Sequence, residues 1–421
     1  MRASVLASLV LCTSLSLACG GHDDDRQWTK EELEELEYKW GYDWSFSGIG
    51  TFAHLDYVKC LTNPAERYDI AIVGVPFDTA VSYRPGARFG PRFIRAASGR
   101  QIGYRSYNPR ANINPYDNWA KIVDCGDIPI TPYDNAIARE QMTQGLKELG
   151  RHRTVSSVGD KPKLMLLGGD HSLTLPALRA LNEIYGRPVR VLHFDGKFPY
   201  MPRRFAPSRG IMLILTLVHT RTAHLDTWDP SKYPAHWGST HFTHGSMFWM
   251  ANKEGLLSNA SSEPSVHAGL RTRLSGTDLA DLDDDTSQNW VRFSADEIDE
   301  IGTRGIINGI MSALGTEDPV YLSIDIDVLD PAFAPGTGTP EPGGWTTREL
   351  IRILRGIEDL NLVGADVVEV SPAYQGSGEE TSLAAAQVAY EILSSMVKKG
   401  LQSMAKEGEA AAAAEDVKDE L

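Results

Sequence analysis

The chain is short of several things, and each shortage narrows its chemistry. It has four cysteines in 421 residues. Cys12 and Cys19 fall in or at the edge of an N-terminal leader-like stretch, which leaves Cys60 and Cys125. A cysteine-built metal site is therefore excluded by number. For the remaining pair, one disulfide in an oxidising compartment and two buried thiols both stay open. Positive charge is in deficit: 41 Lys and Arg stand against 56 Asp and Glu, a net charge of −15. That argues against a basic nucleic-acid footprint and mildly favours a cationic ligand. No segment approaches the run of about 18 apolar residues that a membrane-spanning helix needs. The glycine-bearing stretches around Arg84 to Gly90 and Gly336 to Gly344 lack the strand, loop and Lys-Ser/Thr sequence of a phosphate loop. The 38 glycines and 23 prolines are scattered without a period, so a collagen-like architecture is out, and no internal repeat is visible.

The two ends carry targeting signals. Residues 1–19 read as a secretory signal peptide: Arg2 is the positive start, Val5 to Leu17 the short apolar run, and Ser16-Leu17-Ala18 the small-residue exit. The chain closes on Lys418-Asp419-Glu420-Leu421 (KDEL), a receptor-read address for the endoplasmic reticulum. Asn259-Ala260-Ser261 is a glycosylation sequon. Together they lead us to expect a secretory-pathway protein, luminal or secreted, with no membrane span in the mature chain.

Between the ends, residues 20–64 form a polar and aromatic extension, residues 65–400 the main domain, and residues 401–421 a low-complexity tail. From Tyr68 onward, short β-branched runs (Ile70-Val75, Leu164-Leu167, Val189-Phe194, Val320-Ile326, Leu362-Val370) alternate with amphipathic stretches. The stretches are Asn135-Leu149, Leu175-Tyr185, Thr347-Leu360 and Ser382-Lys399. This rhythm predicts an α/β domain around a buried, mainly parallel sheet.

Ligands of such sheets gather beyond the carboxyl ends of the strands. Here four strand ends deliver a histidine or a carboxylate: Gly168-Gly169-Asp170-His171, Asp195, Asp325-Ile326-Asp327 and Glu369. Asp325 and Asp327 alternate with apolar residues, so both are expected on one face. Two acids side by side on an apolar strand repel strongly without a cation. Oxygen ligands with some imidazole suit Mn²⁺, with Zn²⁺ less fitting and Mg²⁺ possible.

At this point the sequence resembles a known family. Gly74-Val75-Pro76-Phe77-Asp78, Arg84-Pro85-Gly86-Ala87-Arg88-Phe89-Gly90-Pro91, Gly168-Gly169-Asp170-His171-Ser172, Ser323-Ile324-Asp325-Ile326-Asp327, Gly336 through Gly344 and Val367-Val368-Glu369-Val370 follow, in order, the motifs of the ureohydrolases. These are the arginases and agmatinases, and the likeness is strongest to agmatinase. The resemblance implies a three-layer α/β/α fold, two Mn²⁺ ions, and hydrolysis of a guanidino group to urea and an amine. Agmatine is the implied substrate, with guanidinobutyrate and similar compounds as alternatives; a homo-oligomer is also implied. A non-catalytic relative with a split metal site is the rival reading.

One motif is broken. The family pattern Phe-Asp-Ala-His-x-Asp begins here as Phe194-Asp195, continues as Gly196-Lys197-Phe198-Pro199, and resumes at Ala223-His224-Leu225-Asp226. Removing the 27 residues from Gly196 to Thr222 restores it without a scar. That stretch carries Arg203, Arg204, Arg209 and Arg221, no acid, and an apolar run from Ile211 to Val218. Gly-Lys can be encoded with a splice donor, GTAAG, and Thr-Ala with an acceptor AG, in frame. The expectation is a retained intron or gene-model error; a genuine loop is the alternative.

By resemblance, one Mn²⁺ would take His171, Asp195, Asp226 and Asp325, and the other Asp195, His224, Asp325 and Asp327. Asp195 and Asp325 would bridge. Thr243-His244-Gly245-Ser246-Met247-Phe248 resembles the agmatinase loop with a substrate-side histidine, which makes His244 the candidate proton shuttle. Glu369 is the candidate partner of the guanidinium, and Asp327 is counted with these catalytic residues as well as with the ligands.

Overall fold

The computed structural model describes residues 29–31, 34, 50–156, 158–196, 225–230, 241–271, 273–274 and 278–419, with side chains as far as 406. The candidate leader, His224, nearly all of the 196–222 stretch and the last two residues of the chain lie outside them. Contacts divide the chain into two units, Met1–Trp44 and Ser45–Leu421. In the first, Lys30 and Glu34 form an i,i+4 ion pair at 3.5 Å. The second unit takes in part of the 20–64 extension: Phe52 and Cys60 are buried in its cores.

Eight strands build one sheet: β1 (Ile70–Val75), β2 (Ile122–Asp127), β3 (Lys163–Gly168), β4 (Arg190–Phe194), β5 (Ser265–Leu270), β6 (Trp290–Ser294), β7 (Pro319–Asp325) and β8 (Asn361–Val368). Their order is β2-β1-β3-β8-β7-β4-β5-β6, and every pairing is parallel. Parallel strands are covered on both faces, which is why these read as continuous apolar runs. Side-chain alternation sends Ile70, Ile72, Met165 and Leu167 to one core. It sends Ala71, Val73, Leu164 and Leu166 to the other. Helices Gly90–Ser98, Glu297–Leu314, Thr347–Gly356 and Glu380–Asp419 close the first face; Asn135–Gly150, Thr174–Tyr185 and Met247–Lys253 close the second. The result is the three-layer α/β/α arrangement.

Helix starts follow local chemistry. Asp134 accepts hydrogen bonds from the Ala136 and Ile137 amides. Thr346 and Glu349 form a reciprocal capping box. Among the described residues, no helix is long and apolar enough to cross a membrane.

Cys60 and Cys125 are joined in a disulfide across 65 residues, tying the turn before β1 to β2. Of the two readings left open for this pair, the structure has the bonded one. Closing a loop of this size restricts the unfolded chain. Cys125→Ser is therefore expected to lower stability by about 2–5 kcal/mol, read as an earlier guanidinium midpoint; a midpoint unmoved by substitution or by reductant would refute the bond.

Candidate metal centre and active site

The four central strands β3, β8, β7 and β4 are neighbours, and their carboxyl ends carry the functional residues. After β3 the chain crosses close to Phe77. A Cβ on Gly169 would stand 1.9 Å from the Phe77 carbonyl oxygen, so only glycine passes. Asp170 then accepts the Ser172 amide and starts the short turn His171–Leu173, which turns the His171 imidazole inward. β4 ends at Asp195. β7 ends at Asp325, and a 3-10 turn, Ile326–Val328, follows at once. The expected alternation of Asp325 and Asp327 on one strand face is therefore not what aligns them. The chain turns instead, with Asp325 accepting the Asp327 amide at 2.9 Å, and both carboxylates still converge.

Two groups of potential metal ligands result. One is His171, His193, Asp195 and Asp226, the other Asp195, Asp325 and Asp327; within each group the donor atoms lie within 4.8 Å of one another. All are buried. His171 Nδ1 is 3.1 Å from Asp226 and 3.4 Å from Asp325. Five of the six residues expected as ligands are thus gathered, and Asp195 belongs to both groups. The sixth, His224, lies outside the described residues. Buried carboxylates at this density require compensating positive charge.

The surrounding shell is built to aim them. His171 Nε2 bonds the Ser323 hydroxyl at 2.7 Å, and Ser323 donates to Asp366 at 2.8 Å. Asp366 also receives Tyr321 and Thr174. A proton on Nε2 leaves the Nδ1 lone pair facing the carboxylates, the form a ligand needs. Asp327 accepts the Gly196 amide at 3.0 Å and the Thr339 hydroxyl at 3.3 Å. Arg271, just after β5, donates to the carbonyls of Asp327 and Glu341, each at 2.6 Å, and so pins the Asp325–Asp327 turn to the Gly336–Gly344 stretch. Burial lowers its pKa, although Asp327 and Asp195 work against this. His193, Arg271 and Asp366 have no role among the sequence-based expectations, where Ser323 figures only as the first residue of a motif. The spacing of His193 and Asp195, two apart on one strand, was the available signal for the first.

Glu369 sits at φ 61, a left-handed conformation that a non-glycine residue adopts at a cost. Its amide bonds Gly169 O at 2.9 Å. Its Oε1 accepts the His171 amide at 2.9 Å and the His244 Nδ1–H at 3.0 Å. Its buried Oε2 has no hydrogen-bond partner among the described residues. His244 Nε2 in turn accepts the Ser82 amide at 3.0 Å and lies 2.8 Å from the Ser82 hydroxyl. The amide holds a lone pair on Nε2, so the ring is neutral with its proton on Nδ1. Burial opposes a second proton, but Glu369, Asp170 and Asp226 outweigh it and raise the pKa of His244.

The arginase-family model matches residues 68–198 and 215–394. The chain belongs to the arginase family. The match pauses inside the stretch from Gly196 to Thr222. A Schizosaccharomyces pombe protein named "Putative agmatinase 1" is 47% identical over 364 residues, covering 84% of this chain and 83% of that protein. An agmatinase from Chromobacterium violaceum is 35% identical over 355 residues, covering 84% and 91%. The solved proclavaminate amidinohydrolase of Streptomyces clavuligerus superposes with a TM-score of 0.66 at 34% identity, covering 85% of this chain and all of that one. This ureohydrolase therefore hydrolyses guanidino C–N bonds, and its site is a buried His/Asp metal-binding group.

Burial, together with Asp327, pushes the Asp325 carboxyl up to about 8 from an ordinary 3.8. Without metal, the folded protein keeps this proton over a pH range in which the unfolded chain has released it. The metal-free fold accordingly loses stability from this group as pH rises from about 4 to about 8, and cations substitute for the proton. The thermal stabilisation given by saturating Mn²⁺ over chelator is expected to be larger at pH 8 than at pH 5.5. Affinity should rise about tenfold per pH unit for each proton displaced. Equal stabilisation at both pH values would contradict this.

Proposed function

We propose that this ureohydrolase cleaves agmatine to putrescine and urea with a pair of Mn²⁺ ions. The observation that carries the reading is the buried Glu369 Oε2, which has no hydrogen-bond partner among the described residues and lies beside the His/Asp group, one hydrogen bond from His244. His171, Asp195, Asp226 and Asp325 would hold one ion; Asp195, His224, Asp325 and Asp327 the other. Such a pair, when bound, supplies an ionised water at neutral pH.

The protein side chains do the rest. Glu369 offers Oε2 to the guanidinium N–H groups, a charge-assisted contact that turns the central carbon toward the ligand cluster. Glu369, His244 and the described ligand residues are all buried, which strengthens these interactions. The departing amine nitrogen must be protonated, since an amide anion leaves very poorly. His244 has carboxylates on one side to support its charge and the exposed Ser82 hydroxyl on the other. It can take a second proton from solvent on Nε2, exchanging the Ser82 amide contact for it, and then pass its Nδ1 proton to that nitrogen, which returns the ring to the neutral form.

The relatives at 44–47% identity carry agmatinase names, which supports agmatine. A guanidinobutyrase of Pseudomonas aeruginosa at 35% keeps a guanidino acid as the second reading. The net charge of −15 favours the cationic amine tail over a carboxylate one.

Purified protein supplied with manganese is expected to release urea from agmatine at least tenfold faster than from 4-guanidinobutyrate or arginine. Glu369→Gln should reduce kcat/KM by 10² or more, because the carboxylate is lost where the cation sits. Preference for guanidinobutyrate would overturn the substrate, and an unaffected Glu369→Gln would overturn the orientation.

The broken motif gives a second test. A site whose ligand positions are loosened by about 1 Å loses much of its activity. Deleting Gly196 to Thr222 is therefore expected to raise urea release well above that of the full chain. Equal rates in the two forms would defeat the view that the stretch is foreign to the enzyme.

A further inference from the structure

Behind the metal-binding group stands a second imidazole held in the same manner as His171. His193 is fully buried on β4, two residues before Asp195 and on the same face. Its Nδ1 lies 2.8 Å from Nδ1 of His267. His267 Nε2 lies 3.2 Å from Asp285 Oδ1. Asp285 is held by the Thr227 hydroxyl at 2.9 Å and by Arg292. Trp290 stacks on the His267 ring, 3.8 Å away and nearly parallel to it.

Hydrogen-bond bookkeeping then fixes the tautomers. Asp285, ion-paired with Arg292, accepts, so His267 carries its proton on Nε2 and presents a bare Nδ1. His193 must therefore donate from its own Nδ1, and its Nε2 is left as a lone pair. That Nε2 is buried and has no hydrogen-bond partner among the described residues. It points at the ligand group, 3.5 Å from Asp195 Oδ2 and 3.8 Å from Asp226 Oδ2. A lone pair aimed at two carboxylates is repulsive unless something positive lies between them. His171 is placed in the same way: its outer nitrogen is tied through Ser323 to Asp366, while its inner nitrogen faces Asp226 and Asp325. Donor atoms adjacent on one divalent ion stand roughly 3–3.5 Å apart at bond lengths of about 2.1–2.5 Å, close to the separations found here.

We propose that His193 Nε2 is a further ligand of the ion held by His171, Asp195 and Asp226, with His267 and Asp285 as the positioning residues that fix its tautomer. The inference rests on the metal-centre reading above and adds to it an imidazole outside the inherited ligand motif.

The test uses the full chain, wild type and His193→Asn, loaded with Co²⁺ and separately titrated with Mn²⁺ against a chelator. In the Co²⁺ form, each coordinated imidazole gives a paramagnetically shifted N–H proton resonance. His193→Asn is expected to lose one of these and to bind the tighter Mn²⁺ at least tenfold more weakly. If His193→Asn does not fold, His267→Gln reads the same contact. It should move the His193 N–H resonance, leave that of His171 in place, and weaken the tighter Mn²⁺ several-fold. Two ions bound at wild-type affinity, with every shifted resonance retained, would overturn the inference alone. A wild-type chain that takes up neither metal would overturn the metal-centre reading along with it.

Discussion

Four carboxylates and two imidazoles are packed into one buried volume, where burial penalises every charge that is not compensated. Arg271 spends its donors on the backbone carbonyls of Asp327, Val328, Leu329 and Glu341. These bonds stiffen the frame of the turn that carries Asp327. The fold bears this cost because the ligands arrive from four adjacent strands whose registers are fixed by two apolar cores. Each strand end is then redirected over one or two residues: Gly169 lets the chain pass Phe77, Asp325 caps its own turn, and Glu369 takes a left-handed backbone. Such local costs are tolerated where a bound charge recovers them.

The central sheet was legible because parallel strands buried on both faces announce themselves as β-branched runs, and β1, β3, β4, β7 and β8 all did. The other three strands were not legible, for identifiable reasons. β2 reads Ile-Val-Asp-Cys-Gly-Asp, and its acids are there to receive Arg95, as Asp124 does at 2.8 Å. β5 contains His267 and Gly269, the latter at φ 94. β6 is an edge strand whose side chains are mostly half-buried. Helix Glu297–Leu314 was hidden by Gly302, Gly305 and Gly309. Gly309 is required because a Cβ there would stand 2.4 Å from the Phe293 ring. In each case packing or charge pairing has overridden the periodic signal.

The site was legible to a different depth. Strand-end acids and the family motifs located Asp195, Asp226, Asp325, Asp327, His171, His244 and Glu369, because those residues lie in contiguous words of sequence. The groups that orient them do not. Ser323 and Asp366 stand 43 residues apart, and His193 and His267 stand 74 apart. Only the β7-β8 and β4-β5 pairings make them neighbours. A proton placed on the outer nitrogen of a ligating histidine is thus decided by sheet order, which no local pattern encodes.

Sheet order also explains how Asp195 and Asp226 come together across the interrupted motif. Lengthening the connection from about 4 to about 31 residues costs on the order of 2 kcal/mol in closure entropy. Each half, however, is anchored to the scaffold without help from the other. Asp195 ends β4, with its amide on Ala268 O at 3.1 Å. Asp226 has its carbonyl on the Phe248 amide at 3.0 Å, and its neighbour Thr227 is on Asp285. These anchors offset part of the closure cost, and a shared cation would offset more by bonding both carboxylates. Proximity of the ligands and precision of the ligands are therefore separate demands. The scaffold meets the first even with 27 extra residues in the path. A short, rigid link between the two aspartates is what meets the second, and catalysis depends on that precision far more steeply than folding does.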